Sequence, residues 1–252
     1  MREAGDGEET PFDVVNAGAD SPFLLIGDHA GRRIPARMGD LGLSQENLER
    51  HIAWDIGVDG LGRQLASRLG ATFIAQRYSR LVIDCNRNPT RADSIPKRSD
   101  GSIIPANGRL AAAEAQRRRQ EIFDPYHARI AEELDDRSAR GLATVVVALH
   151  SFTPVMSGTV RPWRYGVLHM HDSPFSSAVL AALVAATGEA EVGDNEPYRM
   201  DESDYSIARH AQARALDYLE LEVRQDLVAD VDSWTDEAKR LADILVNALG
   251  RP

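Results

Sequence analysis

The chain alternates between short apolar runs and longer segments with apolar residues at helical spacing. Short apolar runs bounded by polar turns predict buried strands. Six runs have this pattern: Phe23–Gly27, Thr72–Gln76, Arg80–Asp84, Thr144–Leu149, Tyr165–Met170 and Asp217–Val223. Four segments predict helices: Ser44 through Leu69, Arg109–Arg140, Phe175–Thr187 and Trp234–Leu249. Strands that alternate with helices predict an α/β fold, with a mixed, mostly parallel central sheet and helices on both faces.

Two helical segments contain residues that disfavour a regular helix. Gly57 weakens the middle of the helix expected after Ser44, and Pro125 is expected to break or kink the helix that runs to Arg140. Between these helices, Asn88–Gly108 contains three prolines and is predicted to be a long loop that lines a site.

Length and charge limit the classes of protein. A chain of 252 residues with 43% hydrophobic content can bury one full core. We expect a disordered tail over residues 1–13 and a single catalytic domain over residues 14–252. The net charge of −10 argues against nucleic-acid and membrane partners, because both need a basic face. Cys85 is the single cysteine, which excludes an intramolecular disulfide and suggests a reducing, cytoplasmic location.

Two histidines lie at the carboxyl ends of predicted strands. His29 comes shortly after Phe23–Gly27, and His150 ends the run that begins at Thr144. In open α/β sheets ligands bind beyond the carboxyl ends of the strands, so both imidazoles are expected at one edge. Together they could bind a metal such as zinc, with a carboxylate and a water as further ligands. Alternatively, each histidine only caps its strand by hydrogen bonding.

Asp55 and Asp59 are the candidates for the carboxylate ligand. They lie one helical turn apart, in line with Leu48 and Ile52, and both are expected to face inward. We choose Asp55 because His51, one turn earlier, could donate a hydrogen bond to it. A salt bridge to a nearby arginine, or a helical metal site made by His51 and Asp55, remains open.

The segment from Arg77 to Pro89 predicts an anion pocket. It places three arginines and Asn86 around one short predicted strand. A guanidinium binds a carboxylate through two parallel hydrogen bonds, so Arg80 and Arg87 are candidates for holding an acidic substrate. They could also neutralise Asp84. Arg161 and Arg164, with the loop Asn88–Gly108, could close the pocket around a small dianion or leave room for a longer chain, and Arg164 is assigned to substrate binding.

Glu222 is the candidate general base. It shares one face of its predicted strand with Glu220, because alternate residues of a strand point the same way. A glutamate beside a metal-bound water can take its proton and pass it to a departing amine. An ordinary solvent-facing strand would have the same pattern.

Taken together, five motifs resemble the N-formylglutamate amidohydrolase family. They are His29–Gly31, Ser79–Pro89, His150–Phe152, Asp194–Tyr198 and Glu222–Arg224. Asp84-Cys-Asn86-Arg87-Asn-Pro89 is the most distinctive of them, and their order and spacing are more specific than any one alone. The motifs cover nearly the whole chain from residue 21.

The resemblance implies a zinc-carboxypeptidase-like and aspartoacylase-like sandwich with one catalytic zinc bound by His29 and His150. It also implies that Asn86 and Arg87 hold the substrate carboxylate, that Arg80 polarises the carbonyl and that Glu222 is the base. Tyr198 is assigned to the substrate pocket. Carboxypeptidases have a glutamate three residues after the first histidine, where this chain has Arg32, so Asp55 is expected to supply the carboxylate.

The activity implied is hydrolysis of N-formyl-L-glutamate to formate and L-glutamate, a step of histidine degradation. Two alternatives remain open. One is a deacylase or carboxypeptidase acting on another N-acyl amino acid or small peptide. The other is a binding protein for an acidic metabolite that does no chemistry, for which Arg32 at the glutamate position is the best argument.

Overall fold

A computed structural model describes residues 10–171 and 173–250. It contains eleven strands: β1 (Phe12–Val15), β2 (Phe23–Gly27), β3 (Thr72–Gln76), β4 (Arg98–Ser99), β5 (Ser102–Ile103), β6 (Val145–Phe152), β7 (Val155–Met156), β8 (Thr159–Val160), β9 (Tyr165–Leu168), β10 (Val192–Asp194) and β11 (Asp217–Arg224). Seven of them form one sheet in the order β1-β3-β2-β6-β11-β9-β10. The strands β3, β2, β6 and β11 are parallel, whereas β1 and β9 each pair antiparallel with a neighbour. The mixed, mostly parallel sheet is therefore confirmed.

The described residues form seven α-helices: α1 (Gln45–Glu49), α2 (Val58–Leu69), α3 (Pro105–Gly108), α4 (Ala112–Arg118), α5 (Asp124–Ala139), α6 (Pro174–Thr187) and α7 (Val231–Leu249). Apolar residues of α2, α6 and α7 pack on one face of the sheet, and those of α5 pack on the other. Helices on both faces are confirmed. No helix in the described part of the chain is both long and apolar enough to cross a membrane.

Alternation along the central strands separates the two faces and decides where polar side chains lie. In β6, Val147 and Leu149 join the core under α2, α6 and α7, whereas Val146 and Ala148 join the opposite core. In β6, His150 is on the same side of the sheet as Val146 and Ala148. In β11, Glu220 and Glu222 are on that same side, because they pair with Ala148 and His150. The period of two therefore directs these three polar side chains to the α5 face.

The single helix expected from Ser44 to Leu69 is wrong. The chain forms α1, then a stretch of turns, then α2, and Gly57 takes a left-handed conformation (φ 85°) immediately before α2. A β-carbon on Gly57 would lie 2.1 Å from the carbonyl oxygen of Val228. Glycine therefore allows both the turn and the close approach, and the helix is interrupted there.

Arg80–Asp84 does not form the expected strand. Arg80–Val82 form a turn, and the consecutive apolar residues Leu81, Val82 and Ile83 are buried without pairing in the sheet.

The helix that runs to Arg140 is distorted next to Pro125, as expected, but it is not interrupted. A π-helical segment, Arg119–Phe123, joins α4 to α5 just before Pro125, which cannot donate a helical hydrogen bond.

The sheet begins before the expected domain boundary. Phe12 and Asp13 belong to β1, which pairs with β3, so the expected tail is wrong for these two residues. Residues 1–9 of that tail lie outside the described residues, as do residues 251 and 252.

Candidate metal centre and substrate cavity

Three neighbouring strands bring the candidate side chains to one edge of the sheet. His29 follows β2, His150 lies in β6, and Glu222 lies in β11 directly across from His150 in the strand register. All three are almost completely buried, with exposures of 3 to 4%. The shared edge predicted for the two histidines is therefore present, and Glu222 does not face solvent.

His29, His150 and Asp55 converge on one point. The Nδ1 atoms of the two histidines are 3.2 Å apart, and Asp55 Oδ2 lies 2.9 Å from His150 Nδ1 and 3.5 Å from His29 Nδ1. A zinc ion with ligands at about 2.0–2.1 Å in a tetrahedron separates neighbouring ligand atoms by about 3.3 Å. The three observed separations match the edges of such a tetrahedron, so these residues fit a zinc ion and leave one position open.

The charge of the surroundings also fits a cation. Five acidic side chains, all buried, surround the two imidazoles: Asp28, Asp55, Asp84, Glu220 and Glu222. Arg80 is the one guanidinium that contacts this group within the described chain, through Asp55 and Asp84. Buried carboxylates in such excess need a compensating positive charge or protons, and a divalent metal supplies the charge.

Asp55 reaches the centre from the turns before α2. Its backbone N–H donates to the His29 carbonyl at 2.9 Å, and its Oδ2 accepts from the backbone N–H of Ser151 at 3.2 Å. Burial alone would raise the pKa of Asp55, but the neighbouring imidazoles of His29 and His150 hold it well below its ordinary value. Asp55 is therefore fixed in position as an anion.

Asp59 and His51 do not take the positions expected from helical spacing. The side chain of Asp59 is 43% exposed and pairs with Arg63 on the surface. His51 faces Asp100, with 3.4 Å between Nε2 and Oδ2, and no contact with Asp55 is found among the described residues. The expectation that both aspartates face inward is wrong because the helix on which it depended is interrupted. Arg32, at the carboxypeptidase glutamate position, stacks over Trp54 instead.

Three acidic residues at the site were not among the sequence candidates. Asp84 Oδ1 lies 2.7 Å from His29 Nε2, Asp28 Oδ2 lies 3.6 Å from His150 Nε2, and Glu220 Oε1 lies 4.0 Å from the same nitrogen. Asp28 directly precedes His29 and Asp84 opens the Asp-x-Asn-Arg motif, so their positions beside the candidates were visible in the sequence. Their pairing with particular histidines was not.

Arg80 bridges the two carboxylates that contact the histidines. Its guanidinium lies 3.4 Å from Asp55 Oδ1 and 2.8 Å from Asp84 Oδ2. Its side chain is 27% exposed and lies on the cavity wall. Arg80 thus positions both carboxylates while remaining accessible to a bound molecule.

Burial changes the acidity of Glu222. Removal from water raises the pKa of Glu222 to about 7, with His150 acting against this rise and Asp55 adding to it. Its Oε2 atom is buried and has no hydrogen-bond partner among the described residues. A carboxylate with a pKa near neutrality and a free lone pair is suited to accept and return a proton.

The centre lies at the bottom of a cavity of about 450 Å³. The expected loop Asn88–Gly108 contributes Asp93, Pro96 and Ser99 to its wall, so that loop does line the site. Two short hairpins, β4–β5 and β7–β8, meet beside it, where Ser157 Oγ donates to Asp100 Oδ1 at 3.0 Å.

Three of the residues expected to contact the substrate line the cavity, but they differ in how far their polar groups are already hydrogen-bonded within the protein. Arg87 and Tyr198 line the cavity, and Arg87 NH1 binds Asp204 Oδ1 at 2.9 Å. Asn86 also lines it, but its Oδ1 accepts from the backbone N–H groups of Tyr205 and Ser206, each at 3.0 Å. Most of that amide's hydrogen-bonding capacity is therefore used within the protein.

Arg164 does not line the cavity, so its assignment to substrate binding is corrected. It precedes β9, and its side chain lies 3.7 Å from Glu191. Arg199, which was not among the sequence candidates, lies on the cavity wall instead. It is exposed and forms no ion pair within residues 10–171 and 173–250.

Comparison with known proteins gives consistent results. The chain matches the family model for N-formylglutamate amidohydrolase over residues 21–229. A crystal structure of a gene product from Agrobacterium tumefaciens is 37% identical, with 96% of each chain covered and a TM-score of 0.91. That of N-formylglutamate amidohydrolase from Ralstonia eutropha JMP134 is 21% identical, covers 96% of this chain and 98% of its own, and has a TM-score of 0.74. No curated protein matched. The chain therefore belongs to the N-formylglutamate amidohydrolase family and is a hydrolase that acts on amide bonds.

Proposed function

We propose that the protein hydrolyses N-formyl-L-glutamate to formate and L-glutamate, with one zinc ion held by His29, Asp55 and His150. The main support is the set of separations between their donor atoms, which match a tetrahedral zinc site. When bound, zinc lowers the pKa of a coordinated water to about 7 and polarises a carbonyl oxygen.

Glu222 acts as the general base. Its pKa of about 7 leaves a substantial fraction ionised at neutral pH, and it lies beside His150 at the wall of the cavity. It takes a proton from the attacking water as the water oxygen bonds to the formyl carbon. It then gives that proton to the glutamate nitrogen as the carbon–nitrogen bond breaks, so formic acid and the free amine result, and the acid proton passes to the amine to give formate and an ammonium group.

Arg80 stabilises the negative charge that develops on the formyl oxygen. Its two ion pairs, to Asp55 and Asp84, fix the guanidinium without burying it completely. A donor held in place before the reaction needs no reorganisation as the oxygen becomes charged. The same two carboxylates hold the metal and His29, so Arg80 also stabilises the centre.

Two arginines are available for the two carboxylates of the substrate. Arg87 is oriented by Asp204 and Ser203, and all its side-chain hydrogen bonds within the described residues use NH1, which leaves Nε and NH2 for a carboxylate. Arg199 is the second cation, and Tyr198 next to it lines the same wall. In a cavity with this many acidic groups, a dianion needs such local positive charges.

The Arg199→Ala variant is expected to lose about 10- to 100-fold in kcat/KM on N-formyl-L-glutamate, because a hydrogen bond to a charged group contributes about 1.5–3 kcal/mol. On N-formyl-L-glutamine, which lacks the side-chain charge, the loss should be much smaller. Arg109→Ala removes an exposed arginine outside the cavity and serves as the control. Equal losses on both substrates would contradict the assignment of Arg199 to the side-chain carboxylate.

The volume of the cavity supports one alternative class of substrate, N-acyl amino acids other than N-formyl-L-glutamate. About 450 Å³ lies within the usual range of about 300–1,000 Å³ for ligand sites and leaves room for an acyl group larger than formyl. Assays of N-formyl-, N-acetyl- and N-succinyl-L-glutamate beside a dipeptide distinguish these possibilities. Equal rates on all four would exclude a narrow specificity for the formyl group.

The proposed function is tested by measuring metal content and formate release together. The purified protein should contain close to one zinc per chain, release formate from N-formyl-L-glutamate, lose this activity on chelation and regain it with zinc. A protein that takes up no divalent metal on reconstitution and releases no formate would instead fit the binding-protein alternative.

A further inference from the structure

We propose that Asp28 is a positioning residue that holds His150 in the tautomer needed for metal binding. We further propose that Ser206 and Asn86 connect Asp28 to Asp84 in one hydrogen-bonded arch, so that both histidine ligands are oriented by the same structure. The inference rests on the proposed function, because it takes His29 and His150 as metal ligands through Nδ1.

The His29 end of the arch has a direct hydrogen bond. His29 Nε2 lies 2.7 Å from Asp84 Oδ1, and a carboxylate only accepts, so the ring proton is on Nε2. The Nδ1 lone pair therefore points toward Asp55 and His150. Asp84 is in turn held by Arg80 at 2.8 Å.

The His150 end has a competing interaction. His150 Nδ1 lies 2.9 Å from Asp55 Oδ2, and without a metal this contact favours a proton on Nδ1, where a metal cannot then bind. A neutral imidazole carries one proton, so binding through Nδ1 requires that proton on Nε2. An acceptor facing Nε2 is therefore needed.

Asp28 supplies that acceptor. His150 Nε2 and Asp28 Oδ2 are both buried, and neither has a partner within hydrogen-bonding distance in the described chain. The Tyr126 hydroxyl, which is also buried and without a partner at that distance, is the other donor near Asp28. His150 Nε2 and Asp28 Oδ2 lie 3.6 Å apart, and a shortening of about 0.5 Å brings them within the range of N–H···O bonds. Glu220 is farther, at 4.0 Å, and its Oε2 accepts from Asn86 Nδ2. Two otherwise unsatisfied buried atoms thus complement each other.

Three further hydrogen bonds complete the arch. Ser206 Oγ donates to Asp28 Oδ1 at 2.7 Å, the Ser206 backbone N–H donates to Asn86 Oδ1 at 3.0 Å, and the Asn86 backbone N–H donates to Asp84 Oδ1 at 2.9 Å. All four residues are at most 4% exposed. Asn86 is therefore a positioning residue in the arch, and its Oδ1 and backbone N–H are engaged there rather than with a substrate.

The arch is tested by zinc affinity, measured against a competing chelator in the full chain. Asp28→Asn should weaken zinc binding by about 10- to 100-fold, the usual effect of losing a residue that orients a ligand. The asparagine amide can donate to Nε2 and so favour the wrong tautomer. Ser206→Ala should weaken binding less, in the same direction. Ser176→Ala removes another buried hydroxyl, in α6, and should leave zinc affinity unchanged.

A spectroscopic measurement separates positioning from a general loss of stability. In the zinc-loaded wild type, the Nε2 proton of His150 should be protected from solvent exchange in NMR spectra, and this protection should fall in Asp28→Asn and Ser206→Ala only. If Asp28→Asn does not fold, Ser206→Ala against Ser176→Ala decides the question.

Wild-type zinc affinity in Asp28→Asn, or unchanged proton protection in both arch variants, would overturn the inference while leaving the proposed function intact. A wild-type protein that takes up no zinc would overturn the metal assignment and the arch with it.

Discussion

Replacing Glu222 with glutamine is expected to lower kcat for amide hydrolysis by about 10²- to 10⁴-fold, which is the usual contribution of a general acid–base residue. Glutamine preserves the shape of the side chain but cannot take a proton from water or return it to the leaving amine. The zinc content should stay at the wild-type level, because Glu222 is not among the three residues assigned to the metal. Steady-state kinetics on N-formyl-L-glutamate measures the loss.

The pH dependence provides a second measurement on the same variant. The carboxylate form of Glu222 is the active one, and burial raises its pKa to about 7. In the wild type, kcat/KM should therefore rise as pH increases through the neutral range, and the part of this dependence that comes from Glu222 should disappear in Glu222→Gln.

Glu237→Gln is the matched control for Glu222→Gln. Glu237 is also buried, but it binds the Tyr165 hydroxyl at 2.6 Å, outside the cavity. If Glu222→Gln keeps wild-type kcat, or if Glu237→Gln loses as much, Glu222 is not the base.

Asp55→Ala is expected to reduce zinc affinity by more than the 10- to 100-fold that is typical of residues that only orient a ligand. Asp55 Oδ2 is one of the three converging donor atoms, so its removal deletes a metal–ligand bond and leaves the two histidines alone. Competition with a chelator gives the dissociation constant, and formate release should fall in parallel.

Asp59→Ala is the internal control for Asp55→Ala. Both aspartates precede or begin α2, but Asp59 is paired with Arg63 on the surface. We expect its zinc affinity and activity to equal those of the wild type. A larger loss for Asp59→Ala than for Asp55→Ala would reverse the ligand assignment and contradict the geometry on which it depends.

Arg80 affects both catalysis and metal binding. It contacts Asp55, which is assigned to the metal, and Asp84, which holds the metal-binding His29. If Arg80 only polarised the carbonyl, as the resemblance implies, an Arg80 variant would lose catalysis with little loss of metal. In the structure, its guanidinium binds Asp55 and Asp84. Burial by itself would lower the pKa of Arg80, but these two negative charges outweigh burial and raise the pKa above its ordinary value. Removing Arg80 would leave Asp55 and Asp84 without the guanidinium that fixes their positions, so metal binding is expected to weaken as well.

The sequence by itself determined the features that depend on near neighbours in the chain. An apolar run followed closely by a histidine places that histidine near the carboxyl end of a strand: His29 lies two residues after β2, and His150 lies within β6, two residues before its end. A period of two puts Glu220 and Glu222 on one face of β11. The α/β class follows in the same way, because strand and helix periodicities are local properties of the sequence.

Only the tertiary structure decided which distant residues meet. The choice between Asp55 and Asp59 depended on a break at Gly57, which is stabilised by packing against Val228, far along the chain. Arg164 and Arg199 are equally polar in sequence, yet only Arg199 reaches the cavity. Asp28 faces His150, 122 positions away, because β2 and β6 pair in parallel at one register. Such contacts result from sheet pairing and core packing, which no local pattern specifies.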